Sequence, residues 1–336
     1  MALALQVDSI DTRNRAVSTG FRCVGCGLRR HGVGPILKAD PERRPFNLVR
    51  CPGCRLVQQH PRASADRLAA CYDNDYYVFS EPEPRRWARA VQQYLVHILP
   101  REFKSSRRLL DIGCGPGHFA ALAQSRGWRV TAMDISPEAA SRAAVHFGLD
   151  ARAGTLAQYR STLPPFDLVF LGDVIEHVPE PIRFIEDVRA VMSPEGIVCI
   201  DTPNWNSRWR MFGRTRWLGL NRYHINIFDV NSLTALLERG GFRDIHTGSY
   251  THYRYESMTA RPEPQAWIHR LPAFMAWRVN RLMARFARVG VWSSLSQNPP
   301  ATLDDACSRV DVLSKRIRSD ISKTTSDNLI ATARRG

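Results

Sequence analysis

Leu109-Leu110-Asp111-Ile112-Gly113-Cys114-Gly115-Pro116-Gly117-His118-Phe119 decides the fold. A short apolar run ends in an acid. Three glycines follow at alternate positions, and Phe119-Ala120-Ala121-Leu122-Ala123-Gln124 then reads as a helix. The order is strand, tight turn, helix. Glycine suits such a turn because the backbone bends sharply and a ligand approaches without a Cβ in its way. The free N–H groups at the helix start add donors. The carboxylate of Asp111 at the strand tip favours a cation or a hydroxyl. A second apolar strand, Trp128-Arg129-Val130-Thr131-Ala132-Met133-Asp134, ends in a second acid. An acid about 20 residues after the turn is placed to hold two ribose hydroxyls.

Outward from this stretch, strands and helices alternate. The pattern predicts elements over 108–112, 118–126, 129–134, 137–147, 151–153, 167–172, 181–192, 196–202, 230–239 and 243–250, after a helix over 85–99 that Pro100 closes. Alternation of this kind means an α/β fold, a doubly wound parallel sheet covered on both faces. Ligands bind such sheets at the carboxyl ends of the strands. Asp111, Asp134, the Gly154-Thr155-Leu156 turn and Asp173 all fall there.

A Gly-x-Gly-x-Gly turn also serves dinucleotides, or no ligand at all. The form Asp-Ile-Gly-Cys-Gly-Pro-Gly resembles motif I of class I S-adenosylmethionine-dependent methyltransferases. The resemblance implies a Rossmann-like, seven-stranded sheet closed by an antiparallel hairpin, with 243–250 and Asn328–Ala333 as its strands. It also implies S-adenosylmethionine as cofactor. The methionine end then lies on Asp111, Gly113, Cys114, Gly115 and Gly117, the ribose on Asp134 beside Ile135, and the adenine near Thr155 and Leu156, with Asp173 at the next strand tip.

Upstream stand Cys23-Val24-Gly25-Cys26 and Cys51-Pro52-Gly53-Cys54. Two Cys-x-x-Cys knuckles place four thiolates for a tetrahedral structural zinc. The spacer between them is longer than the usual ribbon interval, and a redox pair is the alternative. The second knuckle and the following Tyr76-Tyr77 segment resemble the N-terminal zinc module of bacterial methyltransferases of sugar and natural-product pathways. That resemblance implies Tyr76 as a catalytic candidate close to the acceptor.

Two further stretches bear on chemistry. Phe166-Asp167-Leu168-Val169-Phe170-Leu171-Gly172-Asp173 is followed by Val174-Ile175-Glu176-His177. The second segment resembles quinone-pathway O-methyltransferases, which implies that Asp173, Glu176 and His177 cluster around a divalent ion, with His177 near the acceptor. Residues 205–223 mix Trp205, Trp209, Trp217 and Tyr223 with several arginines. This composition reads as a substrate lid in which guanidinium groups grip phosphate and rings stack on a sugar or base. His224 follows and is the candidate general base, because imidazole titrates near neutrality.

The chain has 336 residues, eight cysteines and a net charge of +15. It reads as residues 1–20 without pattern, a zinc-binding module over 21–80, a methyltransferase core over 84–253, a helical insertion over 254–326 and the last core strand over 327–336. No apolar run approaches a spanning helix and no leader is legible, so the expected location is cytoplasmic. The insertion carries an arginine stripe (Arg278, Arg281, Arg285, Arg288) beside Met275, Leu282 and Phe286. A helix over 264–290 of this kind suits peripheral contact with an anionic membrane. The function expected is methyl transfer to a small-molecule acceptor: a sugar, a polyketide or a lipid-linked compound. The charge raises an RNA methyltransferase as the rival, although no nucleic-acid-binding fold or amide-methylating motif is legible. A cofactor-binding scaffold without activity is the second rival.

Overall fold

The computed structural model describes residues 20–39, 46–62, 82–98, 107–207, 210–211, 217, 219–250, 295, 298–314, 326 and 328–336. The expectations for Tyr76, for the helix over 264–290 and for most of the chain start fall outside these residues.

The chain opens with a two-stranded hairpin, β1 (Phe21–Arg22) and β2 (Arg29–Arg30), and continues into β3 (Asn47–Arg50) and β4 (Val57–His60). Helix α1 (Glu83–His97) leads to the core: β5 (Arg108–Ile112), α2 (His118–Ser125), β6 (Arg129–Asp134), α3 (Pro137–Phe147), β7 (Asp150–Ala153), α4 (Leu156–Tyr159) and β8 (Phe166–Gly172). A 3-10 turn (Ile175–His177) precedes α5 (Pro181–Ala190) and β9 (Met192–Pro203). Then come β10 (Asn226–Ile227), α6 (Val230–Arg239), β11 (Phe242–Tyr250), α7 (Leu303–Ser314) and β12 (Asn328–Arg335). The principal sheet has seven strands in the order β11-β12-β9-β8-β5-β6-β7. Strands β9, β8, β5, β6 and β7 run parallel, and the hairpin β11–β12 joins β9 antiparallel. Strand order reverses at β5, which lies between β8 and β6. A crevice therefore opens at its carboxyl end.

Each central strand is apolar throughout because both of its faces are covered. Leu109, Leu168, Cys199 and Ile330 face the layer of α1, α2 and α7. Their neighbours Leu110, Val169, Val198 and Leu329 face α5 and α6. Fully burying one such leucine contributes about 1.5–3 kcal/mol. β9 begins earlier than the expected residue 196. Met192 is fully buried beside Phe166, and the register shifts between Phe166 and Leu168, so Ser193-Pro194-Glu195-Gly196 is absorbed inside the strand instead of forming a loop.

The N-terminal strands do not stand alone. β4 pairs with β3 on one side and with β10 on the other, placing Asn226 opposite Gln58 and Ile227 opposite Val57. Phe46, Leu48, Val57, Trp205, Trp217, Ile225 and Ile227 form one apolar cluster across this joint. Asp229 caps α6 by accepting from the Ser232 amide, and it also receives Arg50 at 3.2 Å and Arg55 at 3.4 Å.

A buried carboxylate ties the other side of the sheet. Asp201 of β9 accepts from the Tyr250 hydroxyl at 2.5 Å and from Asn328 Nδ2 at 2.8 Å, and its Oδ2 lies 3.4 Å from His97 Nε2. Burial opposes charge on His97, but the hydrogen bonds to Asp201 and Cys199 and the charge of Asp201 outweigh it, so the imidazole is raised above its usual value. Burial also works against Asp201, yet the hydrogen bond and charge of His97, with Tyr250 and Asn328, hold it below the usual carboxylate range. The contribution of His97 is complete below about pH 6.5 and is lost as pH rises through its raised folded value; that of Asp201 is complete above about pH 3.9 and is lost as pH falls through its lowered value. Urea unfolding of wild type and His97→Gln should therefore differ most near about pH 5, and the difference should shrink towards alkaline pH. Asp201→Ala should lower stability by about 3–5 kcal/mol at neutral pH.

Candidate functional site

The glycine turn after β5 sits at the mouth of the crevice. The amides of Gly113 and Cys114 donate to the Met133 carbonyl at 2.8 and 3.0 Å, which fixes the turn to the end of β6. Asp134 is buried and holds the turn directly: its Oδ2 accepts from the Gly115 amide at 2.8 Å and its Oδ1 from the Ser136 amide at 2.9 Å. The three glycines differ in what they require. A Cβ on Gly113 would lie 2.4 Å from Val174 Cγ2, and one on Gly117 would lie 2.8 Å from Ala143 Cβ. Among the described residues, a Cβ on Gly115 would meet nothing within 4 Å, although its φ of +52° is left-handed. The first and third glycines thus serve packing, and the second faces open space.

Charge at this edge is concentrated. Burial, reinforced by the neighbouring charge of Asp134 and opposed by Arg89, pushes Asp111 up to about 8, and its Oδ2 has no hydrogen-bond partner. Burial and the two acids raise the Cys114 thiol, whose Sγ donates to the Gly115 carbonyl. Asp173, at φ +52°, forms an ion pair with Arg89 of α1. Nothing in the apolar spacing of α1 singles out Arg89; only the packing of that helix over the strand tips brings it here. Ile135 is 53% exposed beside Asp134. Leu156 is buried, and Thr155 caps α4.

Among the described residues, Glu176, His177 and His224 come together in one cluster, and Asp173 pairs with Arg89. The ligand atoms of the three residues lie within 4.8 Å of one another. His177 Nδ1 donates to the Tyr223 carbonyl at 2.9 Å and His224 Nδ1 to the Gly219 carbonyl at 3.0 Å. Burial pulls His177 down to about 4, and burial with the neighbouring His177 pulls His224 down to about 3. Both rings are therefore neutral at physiological pH, and His224 is a far weaker base than an ordinary histidine.

The four N-terminal cysteines also converge. Cys23 and Cys54 sulfurs are 3.5 Å apart, Cys26 and Cys51 sulfurs 3.6 Å, and all four lie within 4.8 Å. Both knuckles turn alike: the Gly27 amide returns to the Cys23 carbonyl and the Arg55 amide to the Cys51 carbonyl. Gly27 and Arg55 are both left-handed, at φ +77° and +71°. Tetrahedral zinc with bonds of about 2.3 Å requires sulfurs about 3.8 Å apart, so the donor set fits that ion. Hydrogen bonding from Cys23 lowers Cys54 to about 5, while Cys23 is raised.

A family profile described as "Methyltransferase domain" matches residues 79–247. Over 156 residues the chain is 26% identical to "Ubiquinone biosynthesis O-methyltransferase" of Xylella fastidiosa, covering 45% of this chain and 63% of that protein. Over 164 residues it is 30% identical to a "Probable S-adenosylmethionine-dependent methyltransferase" of Mycolicibacterium smegmatis, covering 48% and 60%. The chain thus spans about six-tenths of the length of these curated relatives. Among solved structures, a SAM dependent methyltransferase from Archaeoglobus fulgidus superposes with a TM-score of 0.44 at 18% identity, covering 74% of this chain and 94% of that one.

The glycine geometry yields an ordering. Gly115→Ala should cost only the left-handed backbone penalty, about 1–2 kcal/mol. Gly113→Ala should cost about 1–3 kcal/mol more, because Val174 must also move. Thermal or urea unfolding of the two variants checks the order.

Proposed function

The chain belongs to the methyltransferase domain family, and on that footing we propose that it transfers the sulfonium methyl of S-adenosylmethionine to a small-molecule acceptor by in-line displacement. The observation that carries this reading is the crevice at β5, where a glycine turn pinned by Asp134 leaves open space at Gly115. In this reading the methionine end lies along Gly113, Cys114, Gly115 and Gly117. Asp111, buried with an unpartnered oxygen, favours the cationic part of the cofactor, and Arg89 supplies positive charge for its carboxylate. Asp134, at the carboxyl end of β6, accepts from the ribose hydroxyls. Ile135 and Leu156 offer apolar contact to the adenine, with Thr155 at the same edge.

The methyl group arrives already activated. The protein therefore aligns acceptor and methyl at about 3–3.5 Å and provides for loss of the acceptor proton. His177 and His224 form the acceptor side, and their neutral rings orient a hydroxyl better than they deprotonate one. An oxygen acceptor agrees with the name of the Xylella fastidiosa relative. The Cys23-Cys26-Cys51-Cys54 set would hold a structural zinc; with four thiolates there is no open position for chemistry.

Calorimetry should show S-adenosylhomocysteine binding to wild type, strong loss in Asp134→Ala, and loss in a folded Gly115→Ala; preference for NAD would overturn the reading. Purified protein should carry about one zinc per chain, lost in Cys51→Ser together with stability of the β3–β4–β10 sheet. The net charge of +15 supports RNA as the second acceptor class. Labelled methyl entering RNA, with affinity falling steeply as salt rises, would establish that class instead.

A further inference from the structure

Two amide side chains are fully buried at the joint between the N-terminal module and the core, Gln58 of β4 and Asn226 of β10. Gln58 Oε1 accepts from the Val24 amide at 3.0 Å, and its Nε2 donates to the Arg22 carbonyl at 2.9 Å. The side chain therefore straddles Cys23 and holds the backbone on both sides of one sulfur donor. Gln58 stands directly opposite Asn226 in the β4–β10 register. Opposite residues of an antiparallel pair project from the same face. Asn226 Nδ2 donates to the Val178 carbonyl at 2.7 Å, and its Oδ1 accepts from Arg62 at 3.4 Å. Arg62 also donates to the Pro179 carbonyl. A second path runs along the backbone: the Gln59 amide donates to the Ile225 carbonyl at 2.8 Å, and the Ile225 amide to the Glu176 carbonyl at 3.1 Å. Val178 directly follows His177, and Asn226 lies two places after His224.

Apolar side chains at these positions would bury equally well. Buried amides are costly unless every partner is in place, so they select one register instead of adding stability. Charge points the same way. Four thiolates around a divalent ion leave a doubly negative centre, and a buried cation beside it is stabilised. Burial pulls Arg62 below its usual value, and the charges of Glu180 and Cys23 oppose that pull.

We propose that Gln58 and Arg62 are positioning residues that make the wall formed by His177 and His224 depend on the metal state of the four cysteines. The bound ion fixes the knuckle around Cys23, and the fixed knuckle offers Gln58 both of its partners. Loss of the ion frees the knuckle and strands the Gln58 amide, and the strain passes through Asn226 and Arg62 to Val178 and Pro179. The glycine turn is held from β6, by Met133 and Asp134, and takes no part in this path. Metal state thus governs one side of the crevice and spares the other. The inference rests on the methyltransferase reading where it calls the governed side the acceptor side.

The test uses the full-length protein with ¹⁵N-labelled histidine, zinc-loaded or stripped with a chelator. Imidazole NMR reads the exchange of the Nδ1 protons that His177 gives to the Tyr223 carbonyl and His224 to the Gly219 carbonyl. Calorimetry with S-adenosylhomocysteine runs in parallel. Stripping wild type should speed exchange of both protons by about tenfold or more and leave S-adenosylhomocysteine affinity unchanged. Gln58→Met keeps the bulk and removes both bonds. With zinc retained it should already show fast exchange, and stripping it should add little because the link is already cut. Arg62→Gln should move exchange in the same direction. Val310→Ala, a core change in α7, should lower overall stability and leave both protons protected. Slow exchange in stripped wild type overturns the proposal, and so does a full further response on stripping Gln58→Met. If stripping unfolds the chain, zinc-loaded Gln58→Met decides, and slow exchange there overturns the proposal. In each of these cases S-adenosylhomocysteine binding by zinc-loaded wild type leaves the methyltransferase reading standing. Metal-dependent exchange without S-adenosylhomocysteine binding supports the positioning role and removes that reading.

Discussion

A carboxylate sealed inside a protein must be surrounded by donors, and Asp201 meets that demand by drawing in three elements at once. His97 ends α1, Tyr250 ends β11 and Asn328 opens β12, and all three converge on it. Removing any one partner leaves charge or polarity stranded at low dielectric. The consequence reaches the functional edge. Helix α1 carries Arg89, and fixing its last turn fixes where that guanidinium meets Asp173. The antiparallel hairpin closes the sheet at the same point, so one buried acid sets both the sheet border and the electrostatics of the crevice.

The second organising joint is the pairing of β4 with β10. An N-terminal module that merely preceded the core would leave Ile225–Phe228 as an irregular connection. Here the segment is the third strand of the N-terminal sheet, and His224 stands immediately before it. Arg62 adds contacts to the Pro179 carbonyl and to Asn226, and Asn226 in turn donates to the Val178 carbonyl. The cysteine cluster is thus mechanically continuous with the two segments that bring His177 and His224 together. Through this sheet the cysteine cluster braces the segments that carry His177 and His224.

Electrostatically, the crevice divides into two halves. On the cofactor side, buried acids crowd together and Arg89 offsets them. On the other side, two imidazoles that burial keeps neutral lie beside the buried Glu176. Arg89 stands between them, which explains why Asp173 is drawn away from the histidines.

The sequence by itself determined the sheet and its turn. Short continuous apolar runs, glycines at alternate positions and acids at two strand tips are local signals, because backbone geometry and the need to cover both sheet faces act within a few residues. The crevice and the two cysteine knuckles were legible for the same reason, whereas the bond from the Gly115 amide to Asp134 that pins the turn was not. Only the tertiary structure decided which distant side chains meet. His224 joins Glu176 and His177 across 47 positions of chain, Asp173 goes to Arg89 instead of to its near neighbours, and β10 pairs with the N-terminal module. These choices are settled by long-range packing and by the cost of burying unpaired charge, and neither leaves a periodic mark in the chain.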